Sequence, residues 1–456
     1  MVFLSNAINF VAYFQKSMHY PSAKSANMVT NFMGTSFLLT IFGGFISDSF
    51  FTRFTTFIIF CMVELLLNTR QFQPAIGRRP SRAQAAILYT GLYAMATGVG
   101  GIKASLPAHG ADQLDRNNQR SISAFFNWYF FSLCTGGLVA ATVMVWVEEN
   151  EGWKWSFKIS VVALTLALCI FASGFPIYRY KPPSGSPVAR IFKVEHSFSN
   201  ACAIIDSFMQ YMDRALIDDT ISTSEVEETK TFLGLLPIFA STIMMNCCLA
   251  QLQTFSVQQG LLMNKTISHN FTIPTQSLSV FPLTIMLASI PLYERFVRLF
   301  GHKFSSNTKI FQPLCRIGLG LALASGSMAV AAAVEAKRRE AAQNNVSSSV
   351  FWLGWQYLLL GVSDMLTLGG MLEFFYVEAP DRMRSICTAL SWCSTSMGYF
   401  ISSALVGISN AVSGRFGREW LGGNDLNHAR LDLFYALLCV LNFINFLNYV
   451  YWAKRY

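Results

Sequence analysis

The sequence predicts an all-α membrane protein, and two observations lead to that class. Of the 456 residues, 53% are hydrophobic and only 13% are charged, which lies well outside the averages for soluble domains. Stretches of about twenty apolar residues, the length that crosses the hydrocarbon core as a helix, recur along the chain. Eleven such spans are predicted, at about residues 28–49, 54–69, 84–106, 123–147, 156–178, 231–255, 273–293, 312–335, 349–376, 386–411 and 431–453.

Before the first of these spans lies an apolar segment that is too short to cross. Residues 1–15 lack the basic start and the cleavage site of a signal peptide, so they are predicted to be the end of a preceding span. The chain is accordingly interpreted as N-terminally truncated.

One long polar interval divides the spans into two groups. It covers residues 179–230 and is predicted to be a cytoplasmic linker with an amphipathic helix, at about 191–216, along the membrane surface. An N-terminal bundle then covers residues 1–178, and a C-terminal bundle covers residues 231–456.

An acid followed by a base marks the corresponding place in each half. When the partial span at residues 1–15 is counted as the first, Asp48 and Arg53 follow the second span, and Glu294 and Arg295 follow the eighth. Halves of six spans often arise by duplication, so this match supports a weak parallel repeat, although a single match of this kind can arise by chance.

Loop charge predicts a cytoplasmic C-terminus, because cytoplasmic loops collect Lys and Arg. The basic loop at 295–316 and the end Lys454-Arg455 share a side, whereas the basic loop at 70–82 falls on the other side and disagrees. Three possible glycosylation sequons fall on the side opposite the C-terminus, at Asn264, Asn270 and Asn345.

The remaining composition argues against a nucleic-acid-binding protein and against an enzyme. The net charge is +9, but the basic residues are spread over connecting loops, which suits lipid headgroups better than nucleic acid. The ten cysteines lie mostly within apolar spans, and the sequence has no metal-ligand cluster, nucleophile-base pair or phosphate-binding loop. No metal, no cofactor and no enzymatic activity are therefore predicted.

Short motifs are distributed over nearly the whole chain. They include Asn31–Thr35, Gly43-Gly44, Gly100–Lys103, Gly110–Asp115, Phe126–Ser132, Gly152–Trp155, Leu236-Pro237, Ala250–Leu252, Arg316–Gly318, Trp420-Leu421 and Leu431–Tyr435. Together they resemble the plant nitrate/peptide transporter family, within the proton-coupled oligopeptide transporters of the major facilitator superfamily. The segment His19–Thr30 most resembles the subfamily associated with import of abscisic acid and nitrate. The resemblance implies the major facilitator fold, with two six-helix bundles that rock around a central site and the first helix only partly present.

Lys103 and Asp364 are the two candidate charges of the central site. An ionisable group within a membrane is by default a functional-site hypothesis, and the resemblance implies that Lys103 pairs with carboxylates or meets an anionic substrate. The alternative is a lysine that snorkels to the membrane interface. Asp364 matches an acidic position that contacts substrate or proton, and it is interpreted as a partner of Lys103. For Asp364 the alternative is a buried acid hydrogen-bonded to a neighbouring helix.

Three residues of the seventh span are expected to tune the substrate. Leu249 stands where the best-understood nitrate transporter of the family has an anion-binding histidine, and leucine neither carries charge nor donates a hydrogen bond. An amphipathic acid with one carboxylate for Lys103 fits such a pocket better than nitrate does. Asn246 and Gln251 either add polar contacts or join helices by hydrogen bonds.

The resemblance also implies gating and regulatory residues. Asp48 and Arg53 match a loop that latches the two bundles, and Glu294 and Arg295 are predicted as its repeat. Thr56 matches a threonine whose phosphorylation switches transport mode in a relative, which implies a regulatory kinase, although a plain helical threonine is the commoner explanation.

Two further acids are predicted to be structural. Glu64 interrupts an apolar run; the alternative is that it lines the central cavity, but the family supplies no role for it, so a structural acid that faces the bundle is preferred. Glu373 lies nearer the cytoplasmic end of its span and is interpreted as a member of an ion pair.

The leading prediction is a plasma-membrane importer that couples protons to a small organic anion such as abscisic acid. Low-affinity nitrate or peptide transport is the alternative. A transport-incompetent protein is the third reading, because the family's first-span acidic cluster precedes the segment that begins here at Met1. The expected partners are the substrate, the lipid bilayer and a kinase, with no nucleic acid; the oligomeric state is left open.

Overall fold

Helices make up nearly all the regular structure. The computed structural model describes residues 3, 14, 22–68, 82–115, 118–183, 185, 223–264, 266–268, 271–272, 280–304, 312–344, 346–415, 420–421 and 429–456. The first half contains α1 (Ser22–Ser49), α2 (Arg53–Asn68), α3 (Arg82–Asp112), α4 (Gln119–Val139), α5 (Val145–Asn150) and α6 (Trp153–Ser173). The second half contains α7 (Thr223–Leu262), strands β1 (Thr266–Ser268) and β2 (Phe271–Thr272), α8 (Val280–Phe304), α9 (Pro313–Gln343), α10 (Leu353–Val377), α11 (Arg384–Arg415) and α12 (Leu431–Arg455).

Each predicted span coincides with one of these helices or with a continuous helical rod. Within the described residues, seven helices are long and apolar enough to cross a membrane by length and composition. α2 has only 16 residues, fewer than a typical crossing requires. The all-α class predicted from the sequence is confirmed, and the two short strands form a small antiparallel pair between α7 and α8.

One rod contains a change of helix type. A π turn at Ala140–Met144 joins α4 to α5, and π turns are rare single-turn features within helices. Ser156 of α6 donates a hydrogen bond to Glu148 of α5 at 2.5 Å. Gly152 has a φ of 87°, which glycine adopts readily, and it lets the chain reverse between the two helices.

The two halves meet along two seams. In one seam α1 contacts α11, and in the other α4 contacts α8 and α10. The first seam depends on Gly44, where an added Cβ would lie 2.9 Å from Cα of Ile386 in α11. An added Cβ on Gly43 would lie 2.5 Å from Cα of Gly101 in α3. The glycine pair therefore lets α1 pack closely against a helix of each half.

We call one end of the molecule the latch face. Here α1, α3, α8 and α10 end, and α2, α4, α9 and α11 begin. The C-terminal residue lies on it, because Tyr456 donates a hydrogen bond to Glu378 at 3.1 Å.

Asn264 lies at the opposite end, beyond α7. It is exposed, and its N–H donates to the carbonyl of Ser348 at 2.8 Å. This placement agrees with the predicted side of the sequons, although glycosylation itself stays a prediction. Asn270, Asn345, the predicted surface helix at 191–216 and all of 1–15 except Phe3 and Phe14 lie outside the described residues.

Candidate functional site

Lys103 lies in α3 with its ammonium group among aromatic rings. Its Nζ is 3.7 Å from the ring centroid of Phe37 in α1, 4.5 Å from that of Trp392 in α11 and 4.2 Å from that of Phe3. The rings of Phe37 and Trp392 stack on each other, with centroids 5.7 Å apart. Ring faces attract a cation within about 6 Å. We call Phe3, Phe37 and Trp392 the aromatic cage; it holds Lys103 at the seam, so the snorkelling alternative does not describe this side chain.

The aromatic cage borders a cluster of buried side chains that both halves supply. α1, α3 and α4 contribute from the first half, and α7, α10 and α11 contribute from the second. The members include Phe37, Ala108, Phe126, Ala250, Leu372, Tyr376, Trp392 and Tyr399. Lys103 is therefore a cation at the α1–α11 seam between the halves, in mostly apolar surroundings.

Glu64 of α2 is the carboxylate that acts electrostatically on Lys103. Its side chain is buried, and α2 and α3 approach closely there, because an added Cβ on Gly98 would lie 3.2 Å from Cβ of Glu64. The structure therefore connects Glu64 with Lys103, which the sequence did not indicate, and the choice between a structural and a cavity-lining role for Glu64 stays a prediction.

Asp364 lies at the other seam. It is buried in α10, and the next residue, Met365, belongs to an apolar cluster with Cys134 of α4 and Met286 of α8. In the described part of the chain, Asp364 makes no ion pair with Lys103 and no side-chain hydrogen bond. The predicted pairing is therefore not made in this conformation, because Lys103 faces the α1–α11 seam and Asp364 faces the α4–α8 seam. A role for Asp364 in binding substrate or proton stays a prediction.

The three predicted residues of α7 are placed differently from one another. Asn246 donates to Ser394 of α11 at 3.0 Å, and Gln251 donates to Ser402 of α11. Both side chains therefore join α7 to α11 by hydrogen bonds, as the second of the two interpretations of Asn246 and Gln251 predicts. Leu249 is half-buried and packs against the apolar core of the second half.

A first network of charges closes the latch face around Arg53. The Arg53 guanidinium contacts Asp48 at 3.3 Å, Asp112 at the end of α3, and Ser385 of α11 at 2.8 Å. Arg384 of α11 reaches Asp112 at 3.6 Å. Two further bonds cross between the halves: the Ile386 N–H donates to Asp48 at 3.0 Å, and Tyr376 of α10 donates to Asp112 at 2.8 Å. We call this network the Arg53 latch.

A second network, the Arg316 latch, repeats this plan in the second half. Arg316, at the start of α9, pairs with Glu373 near the end of α10 at 2.7 Å. Asn127 of α4 bonds both Arg316, at 2.7 Å, and Glu294 of α8, at 2.6 Å. Ser123 of α4 donates to Glu373 at 2.9 Å. The prediction that Glu373 belongs to an ion pair is confirmed.

The structure corrects one member of the predicted repeat. In the Arg53 latch the acid, the base and the second acid come from the consecutive helices α1, α2 and α3, and in the Arg316 latch they come from α8, α9 and α10. Glu294 takes the place of Asp48, but Arg316 takes the place of Arg53. Arg295 is exposed, because one residue further along α8 the side chain is rotated by about 100° away from that of Glu294, and in the described residues it has no ion-pair partner.

Thr56 lies in the first turn of α2 and is fully buried. Its hydroxyl donates to the carbonyl of Thr52 at 3.0 Å, the usual arrangement of a helical threonine. A kinase has no access to this hydroxyl while the Arg53 latch is closed, and phosphorylation stays a prediction.

Comparisons with known proteins agree with this architecture. A family model described as PTR2, POT family, matches residues 51–420. The chain is 57% identical to the Arabidopsis thaliana protein NRT1/PTR FAMILY 4.2 and 52% identical to NRT1/PTR FAMILY 4.1 of the same plant, covering 100% of this chain and 92% of each relative.

Solved structures show the same fold. The crystal structure of the POT family transporter PepTSo has a TM-score of 0.74 at 19% identity, over 100% of this chain and 95% of that one. A POT family transporter in complex with 5-aminolevulinic acid has a TM-score of 0.68 at 12% identity, over 100% of this chain and 93% of that one. The chain therefore belongs to the POT family of proton-coupled transporters, and it is a multi-pass membrane transporter of the NRT1/PTR type, not an enzyme.

Proposed function

We propose that this transporter imports a small organic anion together with protons, with abscisic acid or a similar carboxylate as the first candidate. The observation that carries the proposal is the ammonium group of Lys103 inside the aromatic cage, at the α1–α11 seam between the halves. A cation in apolar surroundings attracts an anion strongly, because little solvent screens the charge.

The surroundings of Lys103 favour an anion with an apolar body. Ring faces of Phe37 and Trp392 would pack against a hydrocarbon skeleton, while the carboxylate meets the ammonium group. Nitrate has no apolar surface to bury, and Leu249 supplies no hydrogen-bond donor. Nitrate and peptide transport are therefore the second candidates.

Two buried carboxylates support proton coupling. Glu64 acts on Lys103 from α2, and Asp364 lies at the other seam. Protonation of either acid removes a negative charge from a site of low dielectric, so it changes how strongly an anionic substrate is held. The proton is accordingly proposed as the coupling ion, and no other cofactor is proposed.

Both latches are closed in this structure, so alternating access requires both to open. Lys454 and Arg455 lie on the latch face, near the bonded C-terminus, and basic residues collect on the cytoplasmic side. We therefore assign the latch face to the cytoplasm and the protein to the plasma membrane, with the substrate entering from the opposite side.

Uptake of labelled abscisic acid into oocytes tests the proposal. We expect uptake that increases with external acidity, and Lys103→Gln should reduce it at least about tenfold, the loss that accompanies one charge-assisted contact. Lys158→Gln is the matched control, because Lys158 also contacts a ring, that of Trp155 at 4.5 Å, but in α6. Surface expression is measured for each variant. Normal uptake by Lys103→Gln at normal surface expression would contradict the proposal.

The same assay separates the other readings. Uptake of labelled nitrate together with no uptake of abscisic acid would support nitrate transport. A chain that reaches the surface and carries neither anion would be transport-incompetent. A Thr56→Asp variant with altered affinity would support regulation by a kinase.

A further inference from the structure

A cavity between the halves lies beside the Arg316 latch. It has a volume of about 330 Å³, within the usual range of small-molecule sites. α4 forms one wall and α8 forms the other. The residues that matter for its chemistry are Arg120, Ser123, Asn127, Trp128, Tyr293 and Glu294.

The cavity carries one charge of each sign. Glu294 is nearly buried, and one of its oxygens accepts from Asn127. Its second oxygen has no hydrogen-bond partner in the part of the chain that the structure describes. Arg120, in the first turn of α4, is exposed and likewise has no ion-pair partner among those residues. The cavity therefore offers a donor for an anion and an acceptor for a cation, both uncommitted.

Part of the cavity wall is apolar, and exposed apolar residues lie on the same helices. Trp128, which lines the cavity, is 45% exposed, and on another face of α8 Leu292 and Phe296 are 70% and 49% exposed. In a membrane protein such side chains face lipid, and Trp and Tyr favour the level of the headgroups. The first turn of α4 lies at the end of a predicted span, at that same level. A ligand with a charged head and an apolar tail matches these surroundings.

We propose that this cavity binds the headgroup of phosphatidylethanolamine, with the phosphate on Arg120 and the primary ammonium on Glu294. A primary ammonium can donate a hydrogen bond to Glu294, whereas the quaternary ammonium of phosphatidylcholine cannot. Phosphatidylglycerol has no cation for Glu294, and its phosphate is repelled by the carboxylate. The lipid lies between α4 and α8, so it occupies the seam that separates when the Arg316 latch opens.

Native mass spectrometry of the delipidated protein with equal amounts of phosphatidylethanolamine, phosphatidylcholine and phosphatidylglycerol tests the proposal. We expect one bound phosphatidylethanolamine in preference to the other two. Arg120→Gln should weaken it about tenfold, as expected for the loss of a charge-assisted contact, and Glu294→Gln should shift the preference towards phosphatidylglycerol. Arg295→Gln is the matched control, since Arg295 is exposed on α8 but does not line the cavity.

Three outcomes would overturn the proposal. They are equal binding of the three lipids by the unaltered protein, equal losses in Arg120→Gln and Arg295→Gln, and displacement of the lipid by an equimolar amount of soluble glycerophosphoethanolamine. The last would assign the cavity to a free headgroup. Arg120 is exposed, so its replacement leaves the fold intact and keeps the test decisive even if Glu294→Gln is unstable. None of these readouts depends on transport of an anion.

Discussion

The two latches share a plan but cross between the halves with different bonds. The Arg53 latch crosses with a charge pair, Arg384 to Asp112 at 3.6 Å. The Arg316 latch crosses with neutral side chains, Asn127 and Ser123. Each of these bonds has one charged partner, whereas the Arg384–Asp112 contact has two, and breaking a buried ion pair costs more than losing a hydrogen bond to one charged group. A duplicated architecture has thus acquired one strong seam and one weaker seam, and the two are expected to open under different conditions.

The largest expected effect is a loss of stability, and it should be greater for a substitution of Arg316 than for one of Arg53. Arg316→Gln leaves the buried Glu373 with only Ser123, so we expect it to lower the free energy of unfolding by about 3–5 kcal/mol, as for other broken buried pairs. Arg53→Gln should cost less, because Asp112 keeps Tyr376 and Arg384. Unfolding in detergent measures both.

Arg295→Gln is the control for this comparison. It should change stability by no more than about 0.5 kcal/mol, as is usual for exposed sites. Equal losses in the two latch variants would contradict the expectation that Tyr376 and Arg384 compensate Asp112 for the loss of Arg53.

A smaller effect is expected when the charge pair between the halves is removed. Arg384→Gln should raise the alkylation rate of Cys387 about tenfold, because a hydrogen bond between charged groups contributes roughly 1.5–3 kcal/mol. Cys387 is fully buried in α11, directly behind the Arg53 latch. Cys248, buried in the core of the second half, reports global unfolding. An unchanged Cys387 rate would mean that Arg384 does not hold this seam.

The smallest effect concerns the neutral seam. Asn127→Ala should raise the alkylation rate of Cys134 about threefold, less than the change at Cys387, because each bond of Asn127 has only one charged partner and no ion pair is broken. Cys134 is buried in α4 and contacts Met286 of α8 at 3.8 Å. High salt should accelerate Cys387 only modestly and leave Cys134 unchanged, because the Arg384–Asp112 pair is largely buried and salt screens buried pairs less than exposed ones. An equal response of both cysteines to salt would contradict the assignment of charged and neutral seams.

The helices and the first latch were within reach of the sequence. Apolar length locates each span, and Asp48 and Arg53 are close enough along the chain to be read as a unit. Glu294 and Arg316 belong to different helices, so the adjacent Arg295 was the natural but wrong choice. The motif that starts at Arg316 was the available signal, and only the packing of α9 against α10 shows what it does.

The surroundings of Lys103 were beyond sequence reasoning. Phe37 and Trp392 come from opposite ends of the chain, and aromatic residues are too frequent in apolar spans to indicate a cage. The sequence predicts that Asp364 pairs with Lys103, because both are ionisable groups within apolar spans. Which seam each faces depends on helix rotation, and a pattern of apolar residues fixes that rotation poorly in a bundle that is apolar on most sides.

The π turn between α4 and α5 has a geometric consequence for the moving seam. One inserted residue advances the helix by about 100°, the rotation per residue of an α-helix. Residues before the turn, such as Asn127 and Cys134, contact the second half, whereas Glu148 beyond the turn bonds Ser156 within the first half. Because of this rotation, the residues before the π turn can face the second half while those beyond it face the helices of the first half. Deleting one residue from Ala140–Met144 would turn one of these stripes out of register while leaving the composition of the rod almost unchanged.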